Sequence, residues 1–184
     1  MTLSGAWRAA ALTALLGCSR ELRLEDLDGR PVDPFAGPDA VRAFVFLSVD
    51  CPISNRYAPE VRALHDRYAA RGVRFELVYP DAASDAATIR AHLASYALPP
   101  RALRDPRHLL ARRGAVTITP EAAVFSHGEL VYHGRIDDRF VSYNRERPHA
   151  NRRDLVDALE AALAGRAPAV TSAPAIGCTL TDTP

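Results

Sequence analysis

Apolar and polar positions change period several times along the chain, and each change marks an element. From Leu22 to Phe35 the two classes alternate about Asp28-Gly29, the pattern of a β-hairpin. Ala43 to Val49 is an apolar run of strand length, interrupted at Ser48, as a strand covered on both faces requires. Tyr57, Val61, Leu64 and Tyr68 then share one helical face, with Gly72 placed to end the helix and Pro59 near its start expected to bend it. Val73 to Tyr79 is a second buried-strand pattern, closed by Pro80-Asp81. Asp85 is placed to cap a helix with Ile89, Leu93 and Tyr96 on one face. Asp105 as cap, Pro106 at the first position, Leu109 and Leu110 inside, Arg112 and Arg113 in the last turn and Gly114 just after spell a further short helix.

The second half reads differently. Val116 to Ile118 leads through Thr119-Pro120 into two strand patterns, Ala122 to Phe125 and Glu129 to Tyr132, joined at Ser126-His127-Gly128: a pre-proline loop followed by a hairpin. An arginine-rich loop, residues 135–153, precedes a last helix capped by Asn151, with Leu155, Leu159 and Leu163 on its apolar face and Gly165 at its end. Beyond Gly165 the chain is rich in Pro, Ala and Thr without periodicity, an extended tail. The mixture predicts an α/β domain without internal repeats.

Composition narrows this picture in two ways. At 184 residues and 48% hydrophobic, the chain has room for one domain with a real core and terminal appendages. A formal charge of +1 supplies no electrostatic reason to bind nucleic acid. The first 18 residues read as an export signal: Arg8 as n-region, Ala9 to Leu16 as h-region, and Leu15-Leu16-Gly17-Cys18 as a processing site. This site resembles a bacterial lipobox, in which Cys18 is acylated and anchors the protein to a membrane; an ordinary secretory signal is the alternative. The h-region is shorter than the ~20 apolar residues needed to span a bilayer. The expected organisation is therefore residues 1–18 as signal, 21–166 as domain, and 167–184 as tail, in an exported, periplasmic and oxidising setting.

Setting Cys18 aside leaves Cys51 and Cys178 of the three cysteines. Cys51 follows the apolar run after Asp50 and precedes Pro52 and a helix pattern. At a strand-to-helix junction, unpaired N–H groups and the positive end of the helix dipole favour a thiolate, which makes Cys51 a candidate nucleophile. Asp50 opposes this if its carboxylate faces the sulfur. Cys178 lies on a tail that, at ~3.3–3.6 Å per extended residue, reaches roughly 45 Å from Gly165. Cys178 is thus a candidate resolving thiol, with a permanent staple or an unpaired thiol as the alternatives.

The order of elements, together with Leu24-Glu25-Asp26-Leu27-Asp28-Gly29, Cys51-Pro52-Ile53-Ser54-Asn55, Thr119-Pro120 and Gly134-Arg135-Ile136-Asp137-Asp138-Arg139, resembles the redoxin (alkyl hydroperoxide reductase/thiol-specific antioxidant) branch of the thioredoxin-like superfamily. The resemblance implies a thioredoxin-like fold: a central mixed sheet flanked by helices, with an N-terminal hairpin. It implies a cis Pro120 facing Cys51, and substrate contacts from Pro52, Thr119, Ser48 and Arg135. Two departures stand out. Ser54 occupies the position of the second cysteine of thioredoxins and cannot resolve a mixed disulfide. Phe44 replaces a peroxiredoxin proline, while Ser48 stands where peroxiredoxins have a threonine. The implied activity is thiol–disulfide exchange through Cys51, with a protein or small-molecule disulfide as partner and a separate thiol electron donor. A thiol peroxidase acting on peroxide with help from Arg56, Arg135 and Arg139 is the alternative, followed by a copper-holding or partner-binding module that draws on His127 or His133. No cofactor is called for and no metal-ligand spacing is present.

Overall fold

A computed structural model describes residues 22–180, so the signal and Cys18 lie outside the described residues. The chain enters as an antiparallel pair, β1 (Leu24–Asp26) and β2 (Pro31–Val32), continuing with β3 (Val41–Phe46), α1 (Pro52–Ala69), β4 (Arg74–Tyr79), α2 (Ala86–Ser95), β5 (Ala102–Arg104) and α3 (Leu109–Arg113). The second half holds β6 (Ile118–Thr119), β7 (Glu121–Ser126), β8 (Glu129–Gly134), β9 (Phe140–Ser142), β10 (Arg145–Glu146), α4 (Asp154–Leu163), β11 (Ser172–Ala173) and β12 (Cys178–Thr179).

Eight strands form one mixed sheet in the order β11-β8-β7-β3-β4-β5-β1-β2. β3 lies inside it, parallel to β4 and antiparallel to β7. Its apolar run is explained by the two layers it divides. Ala43, Val45 and Leu47 face a core shared with Tyr57, Val61 and Leu64 of α1, Ile89 and Leu93 of α2, and Leu155 and Leu159 of α4. Phe44 and Phe46 face the opposite layer, with Leu110 and Ala111 of α3 and Phe125. Burying each such phenylalanine contributes about 1.5–3 kcal/mol, and Phe44 and Phe125 also meet edge-on at 5.8 Å.

Several sequence expectations are corrected here. Tyr96 ends α2 and is exposed, and the buried ring on that helix is His92, at the position where alternation around Ile89 and Leu93 leaves one more inward site. Asn151 does not cap α4: its backbone N–H donates to Asp138 Oδ1 at 2.7 Å, and α4 begins three residues later. Pro106 does not open α3, which begins at Leu109 after His108 in a left-handed conformation. Asp105 still supplies the cap, its carboxylate accepting the N–H groups of Leu109, Leu110 and Ala111 at 2.7–2.9 Å. Pro59 lies inside α1, beyond its first turn and on its exposed side, where the expectation of a bend still applies.

The tail after Gly165 is not free. β11 runs parallel to β8, pairing Ser172 with His133 and Ala173 with Gly134. A Cβ on Gly134 would stand 2.1 Å from the Ala173 carbonyl oxygen, so only glycine lets these backbones approach. β12 then pairs antiparallel with β6 in a small sheet of its own. The arginine-rich loop is likewise ordered, folding into the β9–β10 hairpin.

Candidate active site

The site forms where β3 hands over to α1. Leu47 closes the strand with its N–H on the Val78 carbonyl, and Ser48 and Val49 turn the chain so that Cys51 is the N-cap residue of α1. Pro52 takes the first helical position, where its missing N–H costs nothing. Cys51 has no capping oxygen, so the free N–H groups of the first turn face its sulfur instead. It is 1% exposed.

Cys178 lies directly over it. β12 pairs Cys178 with Thr119, and this register brings Cys178 Sγ to 2.8 Å from Cys51 Sγ. Both residues are thiols. The Thr119–Pro120 bond is cis, and the Thr119 carbonyl oxygen lies 3.1 Å from Cys51 Sγ. Cys51, Cys178, Thr119 and Ser54 are therefore brought together.

Two sets of neighbours compete for the Cys51 proton. Burial pushes the thiol up, and the Thr119 carbonyl oxygen, an acceptor, also favours S–H. Against these stand the Cys178 thiol donating to Cys51 Sγ, the N–H groups of Ser54 and Ile53, and the Ser54 hydroxyl, which together hold Cys51 below the ordinary cysteine range. The dipole of an 18-residue helix acts in the same direction. Cys178 goes the other way: burial and the neighbouring Cys51 sulfur push it up to about 11. One sulfur is thus prepared as a thiolate and the other kept as its proton donor.

Ser54, unable to resolve a disulfide, has work of a different kind. Buried in the first turn of α1, its hydroxyl accepts the Ser48 N–H at 3.3 Å and reaches Cys51 Sγ. Ser48 takes part through its backbone, with its carbonyl accepting the Cys51 N–H at 3.3 Å. Asp50 is exposed and is not among the groups that shift Cys51.

The arginines are engaged elsewhere. Arg135 Nε donates to Asp154 Oδ2 at 2.7 Å, Arg56 pairs with Glu146, and Arg139 lies over the Tyr57 ring at 4.5 Å while facing Glu146 at 3.4 Å. Asp137 accepts the Tyr57 hydroxyl at 2.6 Å, and Asp138 accepts the N–H groups of Asn151 and Arg152, so both acids serve to shape the loop. His127 sits exposed in the β7–β8 turn and His133 faces Glu121 at 3.7 Å; neither joins the cysteines. Among the described residues no group of three His, Cys, Asp or Glu is placed to hold a metal ion.

Three contributors have roles that the sequence pattern does not show, Asn55 among them although it belongs to the Cys51 motif. Glu121, directly after Pro120, accepts the N–H groups of Thr117 and Ile118 at 2.9 and 3.2 Å and so shapes the loop that presents Thr119. Tyr143, on the β9–β10 turn, directs its phenol toward Cys178. Asn55 donates to the Val49 carbonyl at 3.2 Å, which leaves its oxygen for His92 Nε2 at 2.7 Å, while the Tyr79 hydroxyl meets His92 Nδ1 at 2.7 Å. Because Asn55 Oδ1 only accepts, His92 carries its proton on Nε2 and receives the Tyr79 O–H on Nδ1. This chain fixes the turn that leads into Cys51.

His92 is a neutral ring by design of its surroundings: burial holds it below its ordinary value of 6.5, against the charge of Asp50. A histidine depressed in the fold contributes stability that is present above its unfolded value and lost as pH falls toward the folded one. Wild-type stability is therefore expected to decline below about pH 6.5. His92→Phe should remove that part of the pH dependence and cost about 1–3 kcal/mol by orphaning the Tyr79 hydroxyl and Asn55 oxygen. Urea denaturation between pH 5 and pH 8 checks both.

The architecture defines a thioredoxin-like fold. Among solved structures, the chain is similar to an uncharacterized conserved protein from Geobacillus kaustophilus, with 24% identity, a TM-score of 0.75 and 88% of each chain covered. It is also similar to a hypothetical protein from Sinorhizobium meliloti 1021, at 22% identity and a TM-score of 0.72, covering 88% of this chain and 91% of that one. A secreted Mycobacterium tuberculosis disulfide oxidoreductase homologous to E. coli DsbE matches at 16% identity and a TM-score of 0.54, over 79% of this chain and 96% of that one. No family model matches the chain, and no curated protein sequence matches it significantly.

Proposed function

We propose that the protein is an exported thiol–disulfide oxidoreductase of the redoxin type, tethered to a membrane through Cys18, in which Cys51 attacks and Cys178 resolves. The observation that carries the reading is the 2.8 Å approach of the two sulfurs, with Cys178 donating its proton toward a Cys51 held below the ordinary thiol range. The secreted disulfide oxidoreductase among its structural neighbours is consistent with an extracytoplasmic setting.

The chemistry runs in two exchanges. Cys51 thiolate attacks one sulfur of a substrate disulfide; a bond forms between them and the second substrate sulfur leaves as a thiolate. Cys178 then loses its proton to the departing thiolate and attacks Cys51 Sγ. The Cys51–Cys178 disulfide forms and the first substrate sulfur leaves. The substrate gains two electrons, the protein loses them, and an external dithiol protein must return them. Disulfide exchange ranks above peroxide reduction because Arg56, Arg135 and Arg139 are drawn to Glu146, Asp154 and the Tyr57 ring, and none of them is among the groups that act on Cys51.

The test uses the reduced protein with Cys18→Ser and oxidised glutathione as probe. Expected are release of both glutathione thiols, loss of two hydrogens from the intact protein mass, and a peptide linking Cys51 to Cys178. The rate should follow a thiol that titrates below the ordinary cysteine range, and Ser54→Ala should move that midpoint up. Glutathione that remains on Cys51, with Cys178 still free, would overturn the resolving role.

A further inference from the structure

Cys51 is covered by the chain's own tail. At 1% exposure it meets no outside molecule while residues 177–180 are seated. The seat is narrow: β12 pairs only with β6 among the described residues, apart from the eight-stranded sheet. Its register is fixed by Cys178 opposite Thr119, by Thr119 Oγ1 donating to the Cys178 carbonyl at 3.4 Å, and by the Leu180 N–H on the Thr117 carbonyl at 2.9 Å.

Three side-chain positions select what fits this edge. Position 177 passes so close to Thr119 that a Cβ there would meet its carbonyl oxygen at 2.1 Å and its carbonyl carbon at 2.7 Å, both backbone atoms that cannot swing aside. Ile176 packs on the core that contains Cys51, and Leu180 packs on the phenylalanine core of the opposite layer. Thr179, between them, is exposed.

We propose that the β6 edge is a docking strand for an extended peptide of the pattern apolar–Gly–Cys–x–apolar, and that residues 176–180 are a tethered stand-in which such a partner peptide displaces. The tether is β11, held along β8 with the Arg135 N–H on the Ala173 carbonyl at 3.1 Å, so that the tail lifts without leaving and returns to resolve. This rests on the exchange chemistry above. The partner is a protein disulfide with one cysteine preceded by glycine: Cys51 thiolate attacks that cysteine's sulfur in the place of Cys178, the new sulfur–sulfur bond forms, and the partner's other sulfur leaves as thiolate.

The experiment uses the full chain with Cys18→Ser and Cys178→Ser, in which Cys51 is the remaining thiol. Its probes are Ala-Ile-Gly-Cys-Thr-Leu and Ala-Ile-Ala-Cys-Thr-Leu, each with its cysteine joined by a disulfide to thionitrobenzoate, and the symmetrical thionitrobenzoate disulfide as a small control. A Cβ that cannot be accommodated should slow release of thionitrobenzoate from the second peptide by about tenfold or more. Gly177→Ala in the same chain should unseat the tail and speed iodoacetamide alkylation of Cys51 by a similar factor. Equal rates for the two peptides, with a prompt reaction of the small control, overturn the docking strand and leave the exchange reading intact. No reaction with the small control even in Gly177→Ala overturns the exchange reading itself. Protection of Cys51 that grows with protein concentration would mean that a second copy's tail fills the seat, and would overturn the tethered arrangement.

Discussion

Cys178→Ser is expected to turn a passing mixed disulfide into a lasting one. The substrate half captured by Cys51 then has no tethered thiol to expel it and persists until an outside thiol arrives. A tethered thiol acts at an effective concentration on the order of millimolar, so against ~10 micromolar external thiol the adduct should survive about a hundredfold longer. Non-reducing gels and intact mass of the protein after exposure to oxidised glutathione read the adduct directly. Cys51→Ser should give no adduct at all and lower exchange to the background rate, since a serine hydroxyl stays protonated at neutral pH. An adduct on Cys178 in the Cys51→Ser protein would reverse the assigned order of attack.

The asymmetry of the two sulfurs gives this prediction its direction. Were they equivalent, either could begin. Cys51 collects the N–H groups of Ser54 and Ile53, the Ser54 hydroxyl and the Cys178 proton, whereas Cys178 has burial and a neighbouring sulfur against its ionisation. Only the Tyr143 phenol eases Cys178 toward the thiolate.

Local patterns in the chain made the layers legible. The apolar run is continuous from Ala43 to Leu47 because Phe44 and Phe46 serve one core while Ala43, Val45 and Leu47 serve the other. Cys51 announces itself by position alone, between that run and a helix start. What the chain conceals is anything set by pairing at a distance. β12 is two residues long and owes its place to the backbone of Thr119, for which no periodicity exists to be read. His92 looks like any polar helix residue until Asn55 and Tyr79 close on it from other elements. The resemblance implies Arg135 as a substrate contact, whereas Asp154 at the start of α4 draws its guanidinium away. The arginine-rich segment is opaque in part for the same reason: Asp138 holds the N–H groups of Asn151 and Arg152, 13 and 14 positions further on, while only the Asp137 contact to the Arg139 N–H is a local turn.

A second large effect is expected far from sulfur chemistry, at Asp105. It is fully buried, and its two carboxylate oxygens accept the Leu109, Leu110 and Ala111 N–H groups that open α3. Leu110 and Ala111 are themselves fully buried against the Phe44 and Phe46 layer, so water does not replace the lost oxygens. Leaving buried donors unpaired costs about 1–3 kcal/mol each, and partial relaxation of a five-residue helix should hold the total for Asp105→Ala to roughly 3–5 kcal/mol. For a domain of this size that corresponds to a fall in Tm of about 10–15 °C. Asp105→Asn keeps one accepting oxygen and should lose about half as much. Thermal and urea unfolding of the three proteins checks the order. If Asp105→Ala unfolds with the wild type, the cap is not what holds α3 over the phenylalanine layer.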